Sequence, residues 1–456
     1  MHPADTIAAI ATPPGEGGLA VIRVSGPEAL AIVGRCFRPS RAGGELHLVP
    51  SHTVHHGHVV CSGEIIDEVL VTVLRSPRTY TREDTVEIGC HAGGIVTRGV
   101  LATVLAAGAR MAGPGEFTRR AFLNGRLDLA QAEAVADLIH ARSELAARAA
   151  TAQLSGHLSR RIDALRDDLL LVLAHVEAQL DFPDEDIAPE TGDALCRRMA
   201  TARGMLEGLL RTAGEGRVLR QGLRVAIVGS PNAGKSSLLN RLLGEDRAIV
   251  APSAGTTRDT IEESADIRGW PVVFVDTAGL REGSDEVERE GVRRSRQAAG
   301  RAEVLLHVVD ASQPWQTQDR DLLGEFAGRR RTLVLNKSDL PSRWKNPDGT
   351  GEPTVEVSCV TGLGVEALKD RIAAWVGEGI VTGDSAAVAI SARHHEALRR
   401  ADEALGRALQ ALVEGIPLDF VALEVRVAVD AIGEVVGRTT TEDLLDRIFS
   451  TFCLGK

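Results

Sequence analysis

Residues 229–236 read GSPNAGKS, and this stretch decides the fold prediction. It matches the spacing G-x-x-x-x-G-K-[ST], in which the glycines let backbone N–H groups turn inward around phosphate oxygens. An apolar run at 225–228 precedes it and a helix is predicted to begin near Ser237, so the loop joins a strand to a helix N-terminus. The context predicts a P-loop, with Lys235 reaching the β- and γ-phosphates and the Ser236 hydroxyl ligating Mg²⁺.

Buried-strand patterns follow the P-loop along the chain. The apolar runs at 272–275, 304–309 and 333–335 are typical of parallel strands that are covered on both faces. The segment 260–267 is separated from the run at 272 by Arg-Gly-Trp-Pro, which predicts a hairpin at this point. The region is therefore predicted to be an α/β domain with a mostly parallel sheet.

Two further loops are placed to meet the phosphates. Residues 276–279 read DTAG at the end of a predicted strand, where Asp276 can hold Mg²⁺ through water and the Gly279 N–H can meet the γ-phosphate. Upstream, residues 255–259 read GTTRD, and one threonine hydroxyl is expected to complete the metal shell. Thr257 is the first choice for this ligand and Thr256 is the alternative.

Guanine is indicated by residues 336–339, which read NKSD after a predicted strand. The Asp339 carboxylate can accept hydrogen bonds from N1–H and the exocyclic amine of guanine, and adenine offers no such pair of donors. Asn336 can brace the loop, and the stem of Lys337 can lie against the base. Residues 358–360, which read SCV, can offer a backbone N–H to the guanine oxygen.

The residue after the DTAG turn is Leu280, which cannot hydrogen-bond an attacking water. Many small GTPases place a glutamine at this position to orient that water. The acidic stretch 281–288 could supply a carboxylate instead, although most of its residues fit an ordinary solvated loop. The residues alone do not choose among these carboxylates.

The flanking sequence predicts a multidomain α/β protein. Residues 1–126 alternate strand-like and helical stretches and predict an α+β domain, whereas 127–220 and 380–456 are Ala/Leu-rich and helical. The helical tract after residue 127 is expected to be interrupted once, at 181–186, by Pro183. A G domain at 221–379 is therefore predicted to be inserted into an all-α domain, with the α+β domain before it.

Composition narrows the class of protein. The net charge of −11 argues against a chain that coats nucleic acid or an anionic membrane through its overall field. Six cysteines without a C-x-x-C pair suggest neither a zinc site nor a disulfide framework. No secretory leader or long apolar run is evident, so a cytoplasmic protein without membrane segments is expected.

Segments outside the G domain carry a resemblance to a known family. The stretches ATPPG at 11–15, PGEF at 114–117, RAFLN at 120–124 and FCLGK at 452–456, with the order of the nucleotide motifs, closely resemble the MnmE (TrmE) family of tRNA modification GTPases. The resemblance covers the whole chain. It implies addition of an aminomethyl or carboxymethylaminomethyl group to C5 of the wobble uridine of tRNA, performed with MnmG, a partner that carries FAD, in a heterotetramer.

For the G domain, the resemblance implies activation by K⁺ and dimerisation across the switch face. Asn232 would ligate K⁺ together with Ala251, Ser253 and Thr256, and Glu288 would be the catalytic carboxylate that orients water. The full set of residues expected to bind GTP is Asn232, Ala233, Gly234, Lys235, Ser236, Ser237, Ala251, Pro252, Ser253, Ala254, Gly255, Thr256, Thr257, Asp276, Thr277, Ala278, Gly279, Asn336, Lys337, Asp339, Ser358, Cys359 and Val360.

For the N-terminal domain, the resemblance implies a constitutive homodimer and a site for a tetrahydrofolate derivative, in its 5-formyl or 5,10-methylene form. The expected contacts are Arg23, Glu87, Arg126 and Lys456. Taken alone, Glu87 alternates with apolar neighbours, which is more typical of the solvated face of a strand. Cys453 is either a small buried apolar side chain or, as the resemblance implies, a thiol with a role in the modification chemistry.

Two other functions remain alternatives. A regulatory GTPase switch in ribosome assembly would share the G domain, but no G-x-x-G nucleic-acid loop lies in the C-terminal segment. An inert dimer scaffold is disfavoured by the intact Lys235, Ser236 and Asp276. No G-x-G-x-x-G fingerprint follows a strand, in keeping with a flavin carried by a partner.

Overall fold

The computed structural model describes residues 5–41, 45–181, 192–244, 262–275, 300–344, 351–377 and 389–456. Two compact units share these residues. One unit contains the chain up to Ala136 together with Gly433–Lys456, and the other contains Asp137–Ile432.

A seven-stranded sheet with the order β3-β4-β5-β6-β2-β1-β7 forms the first unit. Its pairs are antiparallel apart from β1 with β7. Helices α1 and α2 supply buried side chains to the same apolar core as the strands. The elements are β1 (Ile7–Ile10), β2 (Gly17–Ser25), α1 (Ala29–Cys36), β3 (Phe37–Pro39), β4 (Thr53–Cys61), β5 (Glu64–Leu74), β6 (Thr85–Ala92), α2 (Gly94–Ala106), β7 (Arg110–Met111), α3 (Glu116–Leu123) and α4 (Leu129–Ile139), whose last turn belongs to the second unit.

The C-terminal segment belongs to this first unit. A helix at Glu442–Phe449, labelled α14 below, begins after Thr441, whose hydroxyl accepts the Leu444 N–H. A Cβ on Gly115 would lie 2.6 Å from the Phe449 carbonyl oxygen, so glycine is needed where the segment crosses α3. The last residues are fixed by main-chain bonds, including Phe117 N–H to the Lys456 carbonyl at 3.2 Å.

Helices precede and follow the sheet-forming segment of the second unit along the chain. They are α5 (Glu144–Leu154), α6 (His157–Asp181), α7 (Gly192–Arg211), α8 (Ala213–Gln221), α12 (Ala392–Val413) and α13 (Leu418–Val436), the last of which continues into the first unit.

The expectation of a single interruption in the first helical tract is wrong. The tract also breaks before Ser143, which caps α5 by accepting the Ala146 N–H. A further break follows α5 at Gly156, whose φ of +80° lies in the left-handed region. Ala/Leu periodicity continues through both breaks and therefore hides them. Pro183 lies outside the described residues.

The middle of the second unit is a six-stranded sheet with the order β13-β12-β11-β8-β10-β9. The described pairs are parallel except for the β9–β10 hairpin, as the sequence predicted. Helix α9 begins at Lys235, two residues before the predicted start. The elements are β8 (Leu223–Val228), α9 (Lys235–Leu243), β9 (Glu263–Ile267), β10 (Trp270–Phe274), β11 (Val304–Asp310), α10 (Thr317–Glu325), β12 (Arg331–Asn336), β13 (Thr354–Val357) and α11 (Val365–Gly377).

The predicted multidomain architecture is thus confirmed, with a P-loop α/β sheet between two helical stretches and an α+β unit before them. Among the helices that the structure describes, none has the length and apolar character needed to cross a bilayer.

Candidate nucleotide-binding site and the Tyr80 cluster

The P-loop runs from the end of β8 to the start of α9, and both of its outer glycines are required by close contacts. A Cβ on Gly229, whose φ is +149°, would lie 2.1 Å from the Val308 carbonyl oxygen. A Cβ on Gly234, whose φ is +96°, would lie 2.0 Å from Asn336 Nδ2. Asn232, at the exposed tip, also has a left-handed φ of +59°. The tight turn therefore leads directly into the N-terminus of α9, where a bound anion is favoured.

Lys235 lies within this turn. Its ammonium donates to the carbonyls of Gly229 at 2.9 Å and Ser230 at 2.8 Å. Burial lowers the pKa of Lys235, and the negative charge of Asp319 partly offsets that effect. A partly buried cation at the mouth of an N–H-lined loop is suited to attract phosphate oxygens.

Asn336 joins the base-reading loop to the P-loop. Its Nδ2 donates to the Ala233 carbonyl at 2.8 Å, and its Oδ1 accepts the Cys359 N–H at 3.4 Å. The bracing role predicted for Asn336 is therefore seen in the contacts of one side chain with two loops. Asp339 is exposed at the end of the same loop.

Lys337 adopts a left-handed φ of +63° and donates to Asp310 Oδ2 at 2.6 Å. Burial alone would raise the pKa of Asp310, but the bonds from Lys337 and Ser312 hold it below its ordinary value. The sequence analysis missed Asp310, although an acidic residue directly after the apolar run 304–309 was a usable signal. Asp310 fixes the Lys337 stem, which is predicted to lie against the base.

The loop after β13 closes on itself. Ser358 is fully buried and its hydroxyl accepts the Thr361 N–H at 3.1 Å, whereas Val360 is 81% exposed.

The site loops lie where a parallel α/β sheet is expected to bind a ligand. They follow the carboxyl ends of β8 (the P-loop), β12 (residues 336–339) and β13 (residues 358–360). Twelve of the predicted site residues lie outside the described residues: Ala251, Pro252, Ser253, Ala254, Gly255, Thr256, Thr257, Asp276, Thr277, Ala278, Gly279 and Glu288. Leu280 also lies outside them.

A second cluster lies in the first unit and is called the Tyr80 cluster; it consists of Arg23, Tyr80, Glu87, Arg126 and Lys456. Arg23 on β2 lies opposite Glu87 on β6, and its Nε donates to Oε1 at 2.9 Å. The Arg23 guanidinium lies 5.4 Å from the centre of the Tyr80 ring, and that of Arg126 lies 4.8 Å from it. The sheet register and the tyrosine therefore bring these scattered residues together.

Lys456 completes the cluster. Burial lowers its pKa, the nearby Arg23 lowers it further, and Glu87 opposes both effects. Burial also raises the pKa of Tyr80, whose hydroxyl lies 2.9 Å from the hydroxyl of Thr118. Two guanidiniums thus lie over one aromatic ring, with a carboxylate and an ammonium close to Arg23, which is a composition suited to a flat, anionic ligand.

The sequence analysis named four of the five members and missed Tyr80, for which the only signal was its being the single tyrosine of the chain. Glu87 is not simply solvated, because it is bonded to Arg23. Cys453 is exposed, so the alternative of a small buried apolar side chain is wrong.

The chain is similar to known proteins over nearly its whole length. The family model described as GTP-binding protein TrmE N-terminus matches residues 6–126. The family model described as MnmE helical domain matches residues 129–453. The tRNA modification GTPase MnmE of Lacticaseibacillus paracasei is 44% identical over 99% of this chain and 98% of its own length. The protein of the same name from Geobacillus thermodenitrificans is 47% identical over 99% of both chains. The solved G domain of the T. maritima FeoB iron transporter is 28% identical, covering 34% of this chain and 98% of its own, with a TM-score of 0.25, which is too low to support an inference.

Proposed function

Because this chain belongs to the MnmE (TrmE) family of tRNA modification GTPases, we propose that it is the GTP-hydrolysing component of a complex that modifies C5 of the wobble uridine. The added group is aminomethyl or carboxymethylaminomethyl. The observation that carries the GTPase assignment is the P-loop braced through Asn336 to the loop that bears Asp339. Phosphate and base recognition are coupled there by one side chain.

The residues fit a magnesium nucleotide. Ser236 is an exposed residue at the start of α9, next to Lys235, and hydroxyl oxygen is a hard donor of the kind that Mg²⁺ prefers. Thr257, or Thr256 in its place, is proposed as the second protein ligand, with Asp276 acting through water. The bound ion supplies neutralisation of charge on the phosphates.

Potassium is proposed as a second cation of the G domain. The exposed amide of Asn232 on its left-handed loop tip is free to serve as an oxygen ligand, with the segment 251–256 assisting. Glu288 is proposed to orient the attacking water, since Leu280 cannot. GTP turnover by the purified chain is expected to be severalfold faster in KCl than in NaCl at matched ionic strength. Equal rates in the two salts would remove the potassium site from the proposal.

The Tyr80 cluster is proposed to bind a tetrahydrofolate derivative, in its 5-formyl or 5,10-methylene form. The support is charge and shape: the ligand has a flat ring system and carboxylates, and the cluster offers an aromatic ring, three cations and one acceptor. Cys453, exposed three residues before Lys456, is proposed to take part in the modification chemistry.

The assembly proposed is a cytoplasmic homodimer that forms a heterotetramer with the FAD-carrying partner MnmG and acts on tRNA. The decisive experiment measures wobble uridines by mass spectrometry in cells that lack this protein. Loss of the C5 group, restored by the wild-type gene and not by one encoding Lys235→Ala, is the expected result. Unchanged uridines would refute the role in modification while leaving GTP hydrolysis to be measured separately.

A further inference from the structure

Ser230 of the P-loop and two further polar side chains are buried together, and the functions described so far do not use them. Ser230 follows the first glycine of the loop, Asp319 lies in the first turn of α10, and His307 lies in the middle of β11. Their residues are 5%, 2% and 1% exposed, respectively. Buried polar groups of this kind are costly unless they are paired, so their arrangement needs an explanation.

The carboxylate is the centre of this group. The Ser230 hydroxyl donates to Asp319 Oδ1 at 2.5 Å. His307 Nε2 lies 3.9 Å from the same oxygen, which is beyond hydrogen-bond reach. That nitrogen has no hydrogen-bond partner among the residues that the structure describes. Burial would raise the pKa of Asp319, but His307 and Ser230 outweigh it and hold the pKa below its ordinary value.

A buried carboxylate bonded to an anion-binding loop has two opposite effects. Its charge repels phosphate, which weakens nucleotide binding, and its bond to Ser230 fixes the loop, which strengthens binding. The bond from the Ser230 hydroxyl to Asp319 matters because the other contact of Ser230 is less certain to persist. The Lys235 ammonium bonds the Ser230 carbonyl, and the same ammonium is expected to reach the phosphates. The bond to Asp319 restrains Ser230 whether or not Lys235 bonds its carbonyl.

We propose that Asp319 is a positioning residue for the nucleotide, which holds Ser230 and thereby the first turn of the P-loop in its phosphate-binding conformation. Gly229 lies against Val308 of β11 and Ser230 is tied to α10, so the base of the loop is restrained by two elements. Because the backbone N–H groups of a P-loop must converge on the phosphates, a fixed first turn lowers the ordering cost of binding. The inference rests on nucleotide binding at this loop, and not on potassium, folate or tRNA.

The test is a double-mutant cycle with Ser230→Ala and Asp319→Asn in the full chain. The readouts are the Kd for GDP, kcat at saturating GTP and the midpoint of thermal unfolding. Ser230→Ala is expected to raise the Kd about tenfold and Asp319→Asn about threefold, since a neutral acceptor keeps a weaker bond to the hydroxyl. In both variants kcat stays within about twofold of wild type, because the loop still closes around bound nucleotide.

The double variant distinguishes a shared tether from two separate effects. Its Kd is expected to be no higher than that of Ser230→Ala alone, because both changes act on the same bond and Ser230→Ala already removes it. The double variant also controls for misfolding. Ser230→Ala alone leaves the buried Asp319 carboxylate without its hydrogen-bond donor, which could destabilise the fold, and Asp319→Asn removes that charge. Asp321→Asn, on the exposed side of the same helix, is the matched control and should bind GDP as wild type does.

Three results would overturn the proposal: tighter GDP binding by Asp319→Asn, which means that charge repulsion dominates; additive losses in the double variant; or a lowered kcat with unchanged Kd. A wild-type chain that failed to bind GDP at all would instead refute the assignment of the nucleotide site, so the two failures are distinguishable.

Discussion

In the nucleotide site, short loops follow the carboxyl ends of parallel strands of one sheet, and the backbone carries much of the geometry. In the Tyr80 cluster, single side chains come from separate segments and meet through sheet register and the docked C-terminus. The first arrangement depends on glycines and contiguous motifs, whereas the second depends on the whole first unit being folded. A change to the backbone should therefore damage the first site most, and loss of one charge should damage the second.

The largest effect is expected for Gly234→Ala. The added Cβ would lie 2.0 Å from Asn336 Nδ2 at a φ of +96°, so either the loop or its brace must move. We expect GDP affinity to fall by about 100-fold or more, as measured by titration with a fluorescent GDP analogue. The control is Gly324→Ala in α10, where a Cβ meets open space and binding should be unchanged. Wild-type affinity in Gly234→Ala would show that the tight turn does not matter.

An intermediate effect is expected for Arg23→Met in the Tyr80 cluster. This change keeps an apolar stem and removes the cation that bonds Glu87 and lies over Tyr80. Binding of 5-formyltetrahydrofolate, measured by calorimetry, should weaken about tenfold or more, while GDP affinity stays as in wild type. Arg38→Met, at an exposed position on β3, is the control. An equal loss of folate affinity in both variants would show that the overall positive charge of the protein, and not the Tyr80 cluster, determines binding.

These two regions also show how much of the fold and of the site could be predicted from the sequence. The P-loop, the β9–β10 hairpin and the strands after it were predictable because each motif adjoins a run of apolar residues that is typical of a buried strand. The breaks at Ser143 and Gly156 were not, since helical periodicity continued through them. Asp319 gave no signal, because an acidic residue in the first turn of a helix is ordinary and its bond to Ser230 spans 89 residues. Long-range pairs of this kind are set by tertiary packing.

The smallest effect concerns Lys456 and pH. Its pKa is lowered by burial and then by Arg23, from an ordinary value of 10.5. In the alkaline range just below that value the native state binds fewer protons than the unfolded chain, so this group makes stability rise with pH there. Lys456→Met should reduce that rise, as measured from urea midpoints of both proteins at several alkaline pH values. Parallel pH profiles for the two proteins would contradict the burial of this ammonium.

The central claim is that one guanine nucleotide is held between the P-loop and the loop bearing Asp339. The most direct measurement is a competition titration of the wild-type chain with GDP and ADP in the presence of Mg²⁺. The account predicts at least about 100-fold preference for GDP, because adenine offers the Asp339 carboxylate no matching pair of donors. Equal affinity for the two nucleotides would contradict it.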